Sequence, residues 1–192
     1  MERPVIIGTS FGGFVAQAYA TRHPDHVGGL VLICTAAKMD FAAVFAAFER
    51  LAGPEAAAVA EEYWMDPTPE RRAKYREVCF PHYTLDPNPP GWAKRVILKD
   101  DVALHFNGPK NEHGRMDFRS GLALIHCPVL VMAGEQDPIT PPEFSEVIKA
   151  SLPEATSRLV RFDHAGHGIV TDQRDAFFAE IETFLASLPE TN

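Results

Sequence analysis

Residues 4–15, PVIIGTSFGGFV, set a serine between two apolar segments, with a glycine two positions before it and another two positions after. Val5, Ile6 and Ile7 form an unbroken β-branched run without polar alternation, the pattern of a strand in a parallel sheet covered on both faces. Phe14, Val15, Ala18 and Tyr19 then recur at helical spacing, and the helix is expected to stop near His23-Pro24, because a residue before proline avoids the α region. A strand that turns straight into a helix holds the intervening serine at the carboxyl edge of the sheet.

The same grammar returns later in the chain. Leu30–Ile33, Pro128–Met132 and Arg158–Phe162 read as further strands, with helices expected over about 141–151 and 173–188. The second of these helices carries Phe177, Phe178, Ile181, Phe184 and Leu185 on one stripe. Alternating strands and helices imply an α/β fold with a parallel sheet and helices on both faces. Between residues 38 and 118 no strand-like run occurs. That stretch has a helical stripe of Phe41, Val44, Phe45, Phe48 and Leu51 and helix starts at Gly53-Pro54-Glu55 and Thr68-Pro69-Glu70. A loop containing Pro81, Pro87, Pro89 and Pro90 follows. The expected organisation is one core built from 1–37 and 119–192, with a helical insertion over 38–118. A chain of 192 residues with 46% hydrophobic content is long enough to bury such a core.

Charge and cysteine usage narrow the function classes. A net charge of −8 with no Lys/Arg-rich run argues against nucleic-acid and anionic-membrane surfaces, which need clustered cations. The expected partner is a small-molecule or short-peptide substrate. Cys34, Cys79 and Cys127 are widely spaced and lie in or beside apolar stretches, as reduced thiols of a cytoplasmic protein do, and no metal-type cysteine pair is present. The N-terminus lacks a basic region followed by an apolar core, and no apolar stretch approaches a membrane span.

The chemistry lies at three strand ends. Gly8-Thr9-Ser10-Phe11-Gly12 matches the G-x-S-x-G nucleophile elbow between a strand and a helix. That sharp turn asks for minimal side chains at Gly8 and Gly12, with Gly13 allowing close helix packing. A serine hydroxyl becomes a nucleophile only when a base takes its proton, so a carboxylate and a histidine should follow, each at the end of a later strand. Gly134–Thr140 follows the third strand and contains Asp137, with Glu135 as the competing acid. Phe162–Gly168 follows the fourth and contains His167, with His164 as the competing base or, beside Asp163, an incidental metal ligand. The Ala-Gly-His-Gly setting favours His167. His23, His26, His82, His105, His113 and His126 read as surface or structural. Phe41, Phe45, Trp64, Tyr75 and Trp92 read as the core of the insertion, a few of them lining a pocket.

On these residues the chain resembles the α/β-hydrolase superfamily, and the stretch from Gly8 to Leu32 is similar to the nucleophile region of its lipase, esterase and aminopeptidase branch. The resemblance implies Ser10 as nucleophile, Asp137 as acid, His167 as base and the Phe11 N–H as half of an oxyanion hole. It implies no metal and no organic cofactor. Residues 38–118 resemble a helical cap, and Leu51–Glu55 with Asp66–Glu70 look most like prolyl-iminopeptidase-type caps, although such peptidases usually have tryptophan at the place of Phe11 and serine at that of Gly13. The implied activity is hydrolysis of an ester or amide bond of a small substrate, an aminopeptidase-like amide or a small ester, with carbon–carbon bond hydrolysis or an inactive fragment as the alternatives. Members of the superfamily place several strands before the elbow, including the loop that donates the second oxyanion N–H. On that basis the chain is expected to be an N-terminally truncated hydrolase with an unpaired apolar strand edge, slow turnover and a tendency to self-associate.

Overall fold

The structure, a computed structural model, describes residues 3–189. Its centre is a four-stranded parallel sheet in the order β1 (Val5–Thr9), β2 (Gly29–Ile33), β3 (Val129–Gly134) and β4 (Ser157–Phe162). The register sets Ile7 against Val31, Val31 against Leu130, and Val131 against Leu159. Every residue of β2 and β3 is buried, as continuous apolar runs require when both faces are covered.

Side-chain alternation along these strands splits the core into two layers. Leu30, Leu32, Val129 and Val131 face α1 (Phe11–Arg22), packing on Ala16 and Ala20. The same layer takes in Ile148 of α9 (Pro142–Ser151). Val31, Ile33, Leu130 and Met132 face the other way, onto Ile169 of α10 (Ile169–Asp172) and Phe177, Ile181 and Phe184 of α11 (Arg174–Ala186). Between β2 and β3 the chain is helical. α2 (Phe41–Ala52), α3 (Pro54–Met65) and α4 (Pro69–Val78) are followed by the short helices α5 (Trp92–Arg95), α6 (Asp100–Phe106), α7 (Glu112–Arg115) and α8 (Arg119–Leu122). The punctuation is local. The Asp40 carboxylate accepts from the N–H groups of Ala42 and Ala43, Gly53 at φ 88° joins α2 to α3, and Thr68 caps α4 with Pro69 in its first turn. Phe48, Tyr63, Trp64 and Tyr75 form a third apolar cluster over the carboxyl edge of the sheet, in contact with Phe14 and Ile139.

Two sequence expectations need correction. The run Val5–Ile7 is not covered on both faces throughout: Ile7 is 51% exposed, since β1 pairs with β2 on one side and no strand among the described residues pairs with the other. Gly12 is not required by crowding either, because a Cβ built there meets nothing within 4 Å among the described residues. The tight positions are Gly8, where a Cβ would lie 2.3 Å from the Gly12 carbonyl oxygen, and Gly13, where it would lie 2.4 Å from Thr35 Oγ1.

These contacts give opposite expectations for adjacent glycines. Gly13→Ala should destabilise the fold by about 1–3 kcal/mol, by forcing Thr35 aside, whereas Gly12→Ala should change stability by no more than about 0.5 kcal/mol. Urea unfolding of the two variants beside wild type checks this, and equal costs would contradict the packing described.

Candidate active site

Ser10 sits where β1 ends and α1 begins, with φ 53° and ψ −121°. A non-glycine residue in that region costs on the order of 1–3 kcal/mol and persists only where its surroundings dictate it. Here they do: Ser10 N donates to Ile33 O at 2.9 Å, while Ser10 O accepts from Gly13 N at 2.9 Å and from Thr35 Oγ1 at 2.8 Å. The strain turns the side chain out of the sheet, and the Ser10 hydroxyl lies 2.8 Å from His167 Nε2.

His167 belongs to the loop after β4, and its other ring nitrogen, Nδ1, lies 2.8 Å from Asp137 Oδ2. Asp137 follows β3 and is fully buried. Its Oδ1 accepts from the N–H groups of Ile139 at 2.7 Å and Thr140 at 2.9 Å, and Oδ2 also accepts from Thr140 Oγ1 at 2.7 Å. Burial on its own would raise the carboxyl's pKa, but the neighbouring His167 and the hydrogen bonds from His167 and Thr140 more than offset it, so the group is held below the ordinary carboxylate range. With Asp137 ionised, Nδ1 carries the imidazole proton and Nε2 is left as the acceptor for the Ser10 hydroxyl.

The structure separates the residues left open by sequence. Glu135 is turned away and bound by Arg161, whose Nη2 donates to Glu135 Oε2 at 2.9 Å. His164 is exposed, and neither it nor Asp163 joins the chain that links Ser10, His167 and Asp137. Phe11 opens α1, and its N–H makes no main-chain hydrogen bond among the described residues, so it is free at the positive end of the helix.

Two further features hold the histidine loop. Gly168 N donates to Tyr83 O at 3.1 Å, and the Tyr83 ring meets the His167 ring edge-on at 5.3 Å. Asp172 takes main-chain N–H groups from both sides: Leu85 at 2.9 Å and Asp86 at 3.0 Å on Oδ1, and Gly166 at 2.8 Å on Oδ2. One carboxylate thereby ties the segment after α4 to the loop that carries His167.

Above Ser10 and His167 lies a cavity of 290 Å³, with Phe14, Met39, Trp64, Phe80 and Phe106 among its apolar walls. Tyr83, Arg72, Lys99, Asn107 and His113 also line it, and of these the sequence pointed only to the aromatic class. His113 is 6% exposed, not a surface residue, and stacks edge-on against Phe11, Phe14 and Trp64. Its one sequence signal is the neighbouring Gly114, where a Cβ would lie 1.9 Å from Pro109 O, marking a turn too tight for any other residue.

Burial drives the His113 pKa down from 6.5 to about 4, only partly countered by the Phe106 main chain. Because the folded value is lowered, the unfolded chain takes up a proton below pH 6.5 that the fold refuses until about pH 4, so stability falls as pH drops through that window. His113→Phe should remove about 2 kcal/mol of the stability difference between pH 7 and pH 5. Urea unfolding at the two pH values measures it, and an unchanged difference would contradict a buried neutral His113.

Comparison with known proteins places the chain in a family. Over 196 residues the chain is 25% identical to mouse (Mus musculus) monoacylglycerol lipase ABHD6, covering 97% of this chain and 56% of that protein. It is 29% identical over 184 residues to a pimeloyl-[acyl-carrier protein] methyl ester esterase of Neisseria meningitidis, covering 94% of this chain and 68% of the esterase. The chain thus spans between about half and two thirds of the length of these curated relatives. The crystal structure of a proline iminopeptidase from Mycobacterium smegmatis superposes with a TM-score of 0.71 at 21% identity, over 97% of this chain and 66% of that one, a likeness of fold. The profile of the alpha/beta hydrolase fold matches residues 1–172, and the chain belongs to that family.

Proposed function

We propose that the protein is a serine hydrolase that cleaves esters of small, largely apolar substrates through an acyl-enzyme. The observation that carries this reading is the hydrogen-bonded chain from Ser10 through His167 to the buried Asp137, opening onto an apolar cavity. In the proposed reaction Ser10 Oγ attacks the ester carbonyl carbon while His167 Nε2 takes the hydroxyl proton. Asp137 keeps the ring in place and stabilises the imidazolium, and the Phe11 N–H hydrogen-bonds the oxyanion. His167 then returns the proton to the departing alcohol, and a water activated by the same nitrogen releases the acid and restores Ser10. Residues 38–118 act as a cap that supplies the cavity walls.

An ester is favoured over a peptide with a free amino terminus because of the cavity's charge. Recognition of an ammonium group needs carboxylates, and among the described residues the cavity's charged side chains are Arg72 and Lys99, with no aspartate or glutamate in its lining. The relatives named as a lipase and as a methyl ester esterase support the same choice.

A fluorophosphonate probe should label the protein at Ser10. Ser10→Ala should abolish labelling, and Asp137→Asn should slow it by roughly ten-thousand-fold, the cost of presenting the wrong imidazole tautomer. Labelling of His167→Ala at the wild-type rate would overturn the assignment. With p-nitrophenyl esters and aminoacyl-naphthylamides offered side by side, the esters should be turned over faster, and a requirement for a free amine would move the activity to an aminopeptidase.

A further inference from the structure

The cationic wall of the cavity has chemistry that ester cleavage does not use. Arg72, on α4, has a side chain only 12% exposed. Its Nε donates to Asp100 Oδ1 at 3.3 Å and its Nη1 to Tyr63 Oη at 3.3 Å. The guanidinium carbon lies 5.5 Å from the Tyr63 ring centroid and 5.3 Å from that of Phe80, so aromatic faces hold the fork in one place. Nη2 makes no hydrogen bond among the described residues.

The charge is not balanced locally. Asp100 is shared, because Arg76, one turn along α4, donates to its other oxygen at 2.8 Å. Two guanidinium groups therefore face one carboxylate, and Lys99 adds a third cation at the cavity lining. His113, neutral above about pH 4, adds none at neutral pH. Desolvating a charge without a full set of partners is costly, and a fixed, half-satisfied guanidinium beside an apolar cavity is complementary to a planar anion that brings the missing acceptors.

We propose that the cavity takes an ester whose apolar chain ends in a carboxylate, gripped by Arg72 with Lys99 alongside. The proposal rests on the reading of Ser10 as the nucleophile and names the substrate class of that site. A carboxylate suits the site because it is planar like the guanidinium fork, so that one of its oxygens can take the free Nη2 of Arg72 while the other faces Lys99. The chain between the two ends lies against Phe14, Trp64, Phe80 and Phe106.

The test separates binding from turnover. On Ser10→Ala protein, calorimetry compares monomethyl octanedioate, with one free carboxylate, to dimethyl octanedioate, which has none. The monoacid should bind roughly ten- to a hundredfold more tightly. In the Arg72→Gln background the preference should collapse, in Arg72→Lys it should be reduced, since the charge remains without the fork, and Lys99→Gln should weaken it by a smaller factor. Lys99 is exposed, so that variant keeps the test informative if replacing Arg72 unfolds the chain. Equal binding of the two compounds, or a preference that survives both Arg72→Gln and Lys99→Gln, overturns the proposal. Failure of the nucleophile reading shows separately, as absence of Ser10 labelling by the fluorophosphonate.

Discussion

Everything at the carboxyl edge of this sheet depends on one backbone conformation, that of Ser10. An L-residue at φ 53° is unfavourable by itself, and it is retained because the next strand and the next helix each claim one of its main-chain groups. Ile33 at the end of β2 receives the N–H, and Gly13 in the first turn of α1 donates to the carbonyl. Thr35, just beyond β2, adds its hydroxyl to the same carbonyl. The hydroxyl's direction is thus fixed by the register of β1 on β2 and by the approach of α1 to Thr35, which is why Gly13 has no room for a methyl group. Fold and reactive geometry are the same set of contacts at this point.

The partners of Ser10 are positioned by a second balance, between burial and hydrogen bonding. Asp137 has no solvent contact, and a carboxylate in that state survives ionised only where donors replace water. Ile139, Thr140 and His167 provide them, three of the four coming from the turn immediately after Asp137. The imidazole is consequently held between a fixed anion and a fixed hydroxyl, with its tautomer determined by the first. Cys34, whose sulfur lies within 4.8 Å of ligand atoms of Asp137 and His167, illustrates the opposite outcome: burial, then the charge of Asp137, push its thiol well above the ordinary range, so it stays protonated.

What the sequence made legible was local. A β-branched run marked β1, apolar runs marked β2 and β3 and Arg158–Phe162 marked β4, proline and glycine marked the turns, and Ser10, Asp137 and His167 each stood in the segment after a strand, where a parallel sheet gathers its loops. The helical stretch between β2 and β3 was legible for the same reason, since the stripe from Phe41 to Leu51 and the starts at Gly53-Pro54-Glu55 and Thr68-Pro69-Glu70 are signals that act within a few turns. The residues that went unread owe their setting to distant packing. Arg72 looks like any cation on a polar helix until Tyr63, Phe80 and Asp100 close around it, and α4 carries little apolar patterning of its own. His113 is buried by Phe11, Phe14 and Trp64, which come from two other parts of the chain. Ile7 shows both sides of this: its apolar run reads as covered on both faces, yet its 51% exposure agrees with the unpaired apolar edge expected of this strand.

The Asp172 carboxylate gives the molecule a mechanical property. It grips Leu85 and Asp86 with one oxygen and Gly166 with the other, while Tyr83 accepts from Gly168 and lays its ring against the imidazole. The wall over the cavity and the loop bearing His167 are therefore joined on both sides of the ring, and a displacement that drew residues 83–86 outward would break these hydrogen bonds together. Opening and misalignment share a single coordinate. In the proposed reaction, parting that wall would carry the imidazole out of line with the serine.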